Sequence, residues 1–138
     1  MSREAILDEW LAATLATYPA QTARVLRELH DPFRNPVGHT LREGLRAVLD
    51  ALLDAGDLRA ALDPVIRIRA VQDFTPSQAV GFVFALKPIL GAGFEERVDR
   101  AALAAFDVFM ECRETLYQAK ANEARRRYGA LERTGRTS

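Results

Sequence analysis

The stretch Val65–Leu86, VIRIRAVQDFTPSQAVGFVFAL, decides how this chain folds. Its middle is a helix start: Thr75 can cap, Pro76 suits the first helical position because its missing N–H would lack a partner there, and Gln78 completes a Thr-x-x-Gln capping box. Beyond the cap, Ala79, Val80, Phe82, Val83, Phe84, Ala85 and Leu86 leave no polar face. A helix that is apolar all round is buried, so Pro76–Leu86 reads as a central helix that the other segments wrap. On that reading Gly81 lies in tight packing, and Gly81→Leu is expected to disrupt it.

The first half of the stretch is ambiguous. Val65 to Val71 alternates as a half-buried strand does, whereas Asp63–Arg67 and Arg69–Asp73 are i,i+4 ion pairs on a helix that Asp63 would cap and Pro64 would open. No second strand exists elsewhere to pair with a lone one, and unpaired buried backbone is costly. Helix is the better reading.

Working outward toward the N-terminus, Ser2 caps a helix over Arg3–Thr17, with Ile6, Leu7, Trp10, Leu11, Thr14 and Leu15 on one stripe and Arg3, Asp8 and Glu9 facing out. Tyr18-Pro19 ends it. A shorter helix over Gln21–His30 turns Val25, Leu26 and Leu29 inward. Asp31–His39, DPFRNPVGH, is a corner in which Asn35-Pro36 starts a third helix. Its core stripe runs through Leu41, Leu45, Val48, Leu49, Leu52 and Leu53 to a stop at Gly56.

Toward the C-terminus, Pro88 and Gly91-Ala92-Gly93 end the central element. Phe94 to about Leu131 then has no proline and reads as one long helix. Val98, Ala102, Ala105, Phe109, Cys112, Leu116 and Ala119 recur at 4-3-4-3-4-3, a seam for helix packing, and Leu103, Phe106, Met110 and Tyr117 widen it. Past Ala119 the seam fails. Domain organisation is therefore a helical body over residues 1–120, followed by a projecting helix end and disordered basic tail over residues 121–138.

With 138 residues, 49% of them hydrophobic and 28% charged, the chain can bury a core without disulfide or metal. Its 19 basic and 19 acidic residues indicate no general affinity for nucleic acid. The charge is nonetheless uneven, since six basic residues face two acidic ones after Ala119, giving a tail of +4 and a remainder of −4. A single cysteine, a charged N-terminus without an apolar signal core, and no apolar run of about 20 residues point to a cytoplasmic chain without a membrane span.

Motifs of catalysis are missing from the sequence. His30 and His39 have no second ligand at metal spacing, Gly91-Ala-Gly93 lacks the context of a phosphate loop, and no paired carboxylates or nucleophile–base set stands out. Cys112 reads as a small hydrophobe on the seam. No metal and no cofactor is expected. Two groups remain as candidates. Arg67 and Arg69 either snorkel out or pair with Asp63, Asp73 or another chain, a structural ion pair being the better reading. Phe82, Phe84 and Phe106 could line an apolar ligand pocket, although aromatics at helical spacing are more often core.

Trp10, Tyr18-Pro19, Asn35-Pro36-Val37-Gly38, the run from Arg67 to Phe84, Ala105-Phe106-Asp107 and Cys112-Arg113-Glu114 together resemble the RsbRD N-terminal domain family. These are the sensory N-terminal domains of RsbR/RsbRD-type co-antagonists of the RsbT kinase, and the likeness runs from about Ile6 to Arg127. The resemblance implies an all-α, globin-like helical bundle without haem, usually a homodimer, with a stress-response regulatory role and a final long helix that leads into a STAS output domain. This chain ends at Ser138 without such a module, so the expectation is a non-enzymatic regulator acting in trans on an as yet unknown protein partner. The expected dimer or partner contacts are Arg67, Arg69, Asp73, Val98, Ala102, Ala105, Phe109 and Leu116, with helix one beside them and the two alanines allowing close backbone approach. Alternative readings are a sensor of a small apolar ligand, or an accessory protein of a respiratory sulfur-metabolism complex.

Overall fold

A computed structural model describes residues 1–28 and 31–136. Among these the chain is all-helical: α1 (Arg3–Leu15), α2 (Ala20–Glu28), α3 (Pro36–Leu53), α4 (Leu58–Val71), α5 (Pro76–Val80), a 3-10 segment (Gly81–Ala85), α6 (Leu86–Leu90) and the long α7 (Glu95–Arg136). Helix α4 sits in the middle, packed most extensively on α7 on one side and α3 on the other, while α1 closes over α3, the 3-10 segment and α6. The expected helix termini are built as the residues dictate. Ser2 Oγ accepts from the Ala5 N–H, and Asn35 Oδ1 accepts from the Gly38 N–H at 3.0 Å. The Thr75 box is reciprocal, with the Gln78 N–H donating to Thr75 Oγ1 at 3.3 Å and the Thr75 N–H to Gln78 Oε1 at 2.9 Å.

The core follows the stripes. Ile6, Leu7, Trp10, Thr14 and Leu15 of α1 are buried, as are Leu41, Leu45, Val48, Leu49 and Leu52 of α3. Helix α2 is turned differently from expectation: Ala23 is its buried residue and Val25 is exposed, while Leu29 and His30 lie outside the described residues. Residues 65–71 are helical, but the helix starts a turn and a half before Pro64. Asp57 supplies the cap by accepting from the Ala60 N–H at 3.1 Å, and Pro64 is carried inside the helix. Asp63 makes the expected pair with Arg67 at 2.6 Å. Asp73 lies past the helix end at Val71, so it is not placed at i+4 of a continuing helix for Arg69.

The central element differs from one continuous helix. It is α5, a five-residue 3-10 run and α6, and its greasy face is not complete, because Phe84 is 46% exposed. The physical reason is Pro88: it has no N–H for the Phe84 carbonyl, and its ring crowds that carbonyl, so the chain ahead tightens to i,i+3 bonding. The expected crowding at Gly81 is also corrected. Its φ is helical and a Cβ built there meets nothing within 4 Å. The close approach is at Gly44 instead, where a Cβ would stand 2.3 Å from Val65 Cγ2 across the α3–α4 contact.

Replacing Thr75 by Ala should lower unfolding stability by about 0.5–2 kcal/mol in urea titration through loss of the cap. Gly81→Ala should leave stability unchanged or raise it by about 0.4–1 kcal/mol, since the unfolded chain loses freedom and no clash arises. Gly44→Ala should destabilise by about 1–3 kcal/mol, because Val65 must be pushed out of the core.

Candidate interaction site

Arg69 is a fully buried arginine and its contacts organise the centre of the molecule. Its Nε donates to the Ala79 carbonyl at 2.7 Å and its Nη2 to the Gln78 carbonyl at 2.9 Å, with longer bonds from Nη2 to Thr17 Oγ1 and from Nη1 to Tyr18 Oη, both 3.3 Å. The guanidinium also lies over three rings, 4.5 Å from the centroid of Phe74, 4.8 Å from Phe82 and 5.5 Å from Tyr18. The structural ion pair expected for Arg69 is therefore replaced by carbonyls, hydroxyls and π-faces. Desolvation pushes its pKa below the ordinary arginine value. Side chains from neighbouring elements extend the same pattern. Trp10 Nε1 donates to the Phe82 carbonyl at 2.9 Å, and Trp10 stacks on the Phe82 ring at 5.9 Å. Arg113 of α7 donates to the carbonyls of Ala70, at 2.9 Å, and Phe74, at 2.9 Å, where α4 ends.

This places the expected contact residues in two classes. Arg69 faces the core and is closed to any partner, whereas Arg67 and Asp73 are exposed. Val98, Ala102, Ala105 and Phe109 are buried within a single chain, at 0%, 5%, 0% and 1% exposure. The seam is filled by the molecule's own α4, α5 and 3-10 segment, so these side chains are covered within one chain. Leu116 is half-buried. Leu103, Phe106, Met110 and Tyr117, expected to widen the seam, instead lie on the solvent face of α7 with 68%, 43%, 38% and 61% exposure. The three phenylalanines proposed as a pocket do not share one environment: Phe82 is core, Phe84 lies on the surface beneath Lys87 Nζ at 5.3 Å, and Phe106 is on the outer face of α7.

Two open surfaces result. One is a groove between α4 and α7 of about 270 Å³, lined by Asp63, Arg67, Val71, Val108, Glu111, Cys112, Thr115 and Leu116. Its rim is charged, with Arg67 on Asp63 and Arg59 on Glu111. Burial pushes the Cys112 thiol up from its ordinary value. The other is the outer face of α7. Sequence periodicity had signalled its residues, but it could not say that they belong to a separate face. Among the described residues no group of three or more His, Cys, Asp or Glu could hold a metal ion, and no helix is long and apolar enough to cross a membrane.

Arg69→Met should cost about 2–4 kcal/mol of unfolding stability, because the buried Ala79 carbonyl and the half-buried Gln78 carbonyl both lose their donor. Trp10 fluorescence should shift with it, since the indole is bonded to the segment that Arg69 holds; an unchanged emission spectrum and an unchanged urea midpoint would show that Arg69 holds nothing.

A family model described as the RsbT co-antagonist protein rsbRD N-terminal domain matches residues 4–96. Comparisons with curated proteins and with solved structures found no match. The matched stretch takes in Trp10, Tyr18, Arg69 and the capping box, and it stops as α7 begins; the likeness read further along, at residues 105–107 and 112–114, lies beyond it. The chain belongs to the RsbT co-antagonist protein rsbRD N-terminal domain family, a family of regulatory sensor domains.

Proposed function

We propose that this chain is a non-enzymatic regulatory domain that acts in trans through protein–protein contacts, as a homodimer in the cytoplasm, with α7 as its output element. The observation that carries this is the second apolar face of α7. Leu103, Phe106 and Met110 are exposed on successive turns of a helix whose other face is already committed to the core, and Tyr117 follows on the same face beyond Arg113 and Glu114. Single exposed apolar residues are ordinary on a protein surface, whereas neighbouring ones such as Leu103, Phe106 and Met110 on one helix face mark a contact surface. The polar groups at the centre of the molecule are engaged in holding carbonyls and rings, which supports recognition over chemistry. A partner can shift such a domain only by its difference in affinity between two packings of the helices. Residues 1–120 would form the sensing body and the end of α7 from residue 121 would pass the change on.

The test uses the purified chain together with an RsbT-class kinase and its STAS-containing co-antagonist from the same host. The wild-type chain should change the fraction of kinase bound to the co-antagonist in a sedimentation assay, and Leu103→Glu should abolish the change while leaving the circular dichroism spectrum intact. No change at saturating wild-type chain would refute the role in trans.

A further inference from the structure

On the far half of α7, Arg127 pairs with Glu123 at 2.7 Å, while Lys120, Arg125 and Arg126 make no ion pair among the described residues. Residues 115–132 carry four basic and two acidic side chains, and Arg133 and Arg136 follow in the sequence. The helix macrodipole favours cations only near the last turn. Arg125, Arg126 and Arg127 lie more than two turns before Arg136, so the dipole does not account for them. The rest of the chain has the opposite sign, with 13 basic and 17 acidic residues over 1–119.

Between these cations runs a short apolar face. Tyr117, Ala121, Ala124, Tyr128 and Leu131 fall within about 40° of one line along the helix at 100° per residue. Tyr117, Tyr128 and Leu131 are all well exposed. Arg113, one turn earlier, is spent on the carbonyls of Ala70 and Phe74, so the face begins at Tyr117. Lys120 and Arg127 stand about 60–80° to one side of the line and Arg125 about 80° to the other, with Arg126 on the back. Glu132 is the acidic residue beside the face, and Glu123 is turned away onto Arg127. Tyrosine suits a boundary between oil and water, because its ring is apolar and its hydroxyl stays wet. Lys and Arg beside such a face bury their stems and keep their heads in the polar layer. A nucleic-acid duplex calls for cations along the face itself, where this helix has apolar side chains.

We propose that the far half of α7 lies on an anionic lipid surface, with its Tyr117–Leu131 face in the headgroup layer and Lys120, Arg125 and Arg127 against the lipid phosphates. Basic amphipathic helices bind anionic headgroups in this way, each basic residue near the surface raising binding about fivefold. The stretch from Tyr117 to Glu132 is about 24 Å long at 1.5 Å per residue. No helix is long and apolar enough to cross a membrane, so this one rests along the surface. The acidic body is repelled by the same lipid charge and stays on the water side. Contact with the surface also supports a helix half that has no other element beneath it, a length that is marginal alone in water.

The experiment floats the full-length chain with vesicles of phosphatidylcholine alone or of equal parts phosphatidylcholine and phosphatidylglycerol. The chain should bind the mixed vesicles and not the neutral ones, and binding should fall about tenfold or more between about 0.05 and 0.5 M salt. Lys120→Glu/Arg125→Glu should weaken it about tenfold or more with the circular dichroism spectrum intact. In a Cys112→Ser background, a polarity-sensitive fluorophore on Leu131→Cys should shift to the blue with mixed vesicles, whereas one on Asn122→Cys, which faces away, should not. No flotation, or equal flotation with neutral vesicles, would overturn the proposal. So would binding that survives Lys120→Glu/Arg125→Glu, or a duplex oligonucleotide held more tightly than the mixed vesicles at the same salt. Flotation without a blue shift at residue 131 would overturn the apolar face as the seat of contact. Vesicle binding needs neither a kinase nor a second copy, so it can fail while the role in trans stands, and the reverse.

Discussion

A buried guanidinium without a carboxylate is the constraint on which the rest of this structure depends. An isolated charge in an apolar interior is strongly unfavourable, and a lysine at position 69 would present one compact ammonium to be desolvated. Arg69 spreads its charge over a planar fork that meets two backbone carbonyls, two hydroxyls and the faces of three rings. Each charge-assisted bond of this kind contributes about 1.5–3 kcal/mol. The partners come from the end of α1, from the segment after α4 and from α5, so one side chain determines how three parts of the chain sit around the fourth.

The same logic explains why the centre tolerates an irregular element. Where α5 passes into the 3-10 run, backbone carbonyls accept from side chains of other helices. Gln78 and Ala79 are met by Arg69, and Phe82 by Trp10. The end of α4 is met in turn by Arg113 from α7, whose guanidinium lies 4.8 Å from the centroid of Phe109. Two arginines and a tryptophan, on three different helices, thus act as long-range caps. The family-matched stretch contains Arg69 and Trp10 together with the carbonyls they hold.

Most of the local grammar was readable from residues. Ser2, Asn35 and Thr75 cap as their types suggest, the stripes of α1 and α3 point where periodicity sends them, and Asp63 pairs with Arg67 one turn on. The misreadings share a cause. Pro64 looked like a helix start because proline favours the first turn, yet Asp57 upstream had already capped one. Pro88 looked like a terminator, yet its effect fell on the turn before it. Phe84 and Phe106 looked like core because aromatic residues usually are, and hydrophobicity has no sign that tells one apolar face of a helix from another.

What the sequence by itself determined is the all-helical class, most of the helix boundaries and the family, because caps, breakers and 3.6-residue periodicity act over a few neighbours and need no other part of the chain. Only the tertiary structure decided which apolar face of α7 is inside and what the buried arginine holds. Both depend on which helix lies across from which, and that is set by the packing of residues such as Gly44 on Val65 that stand far apart along the chain.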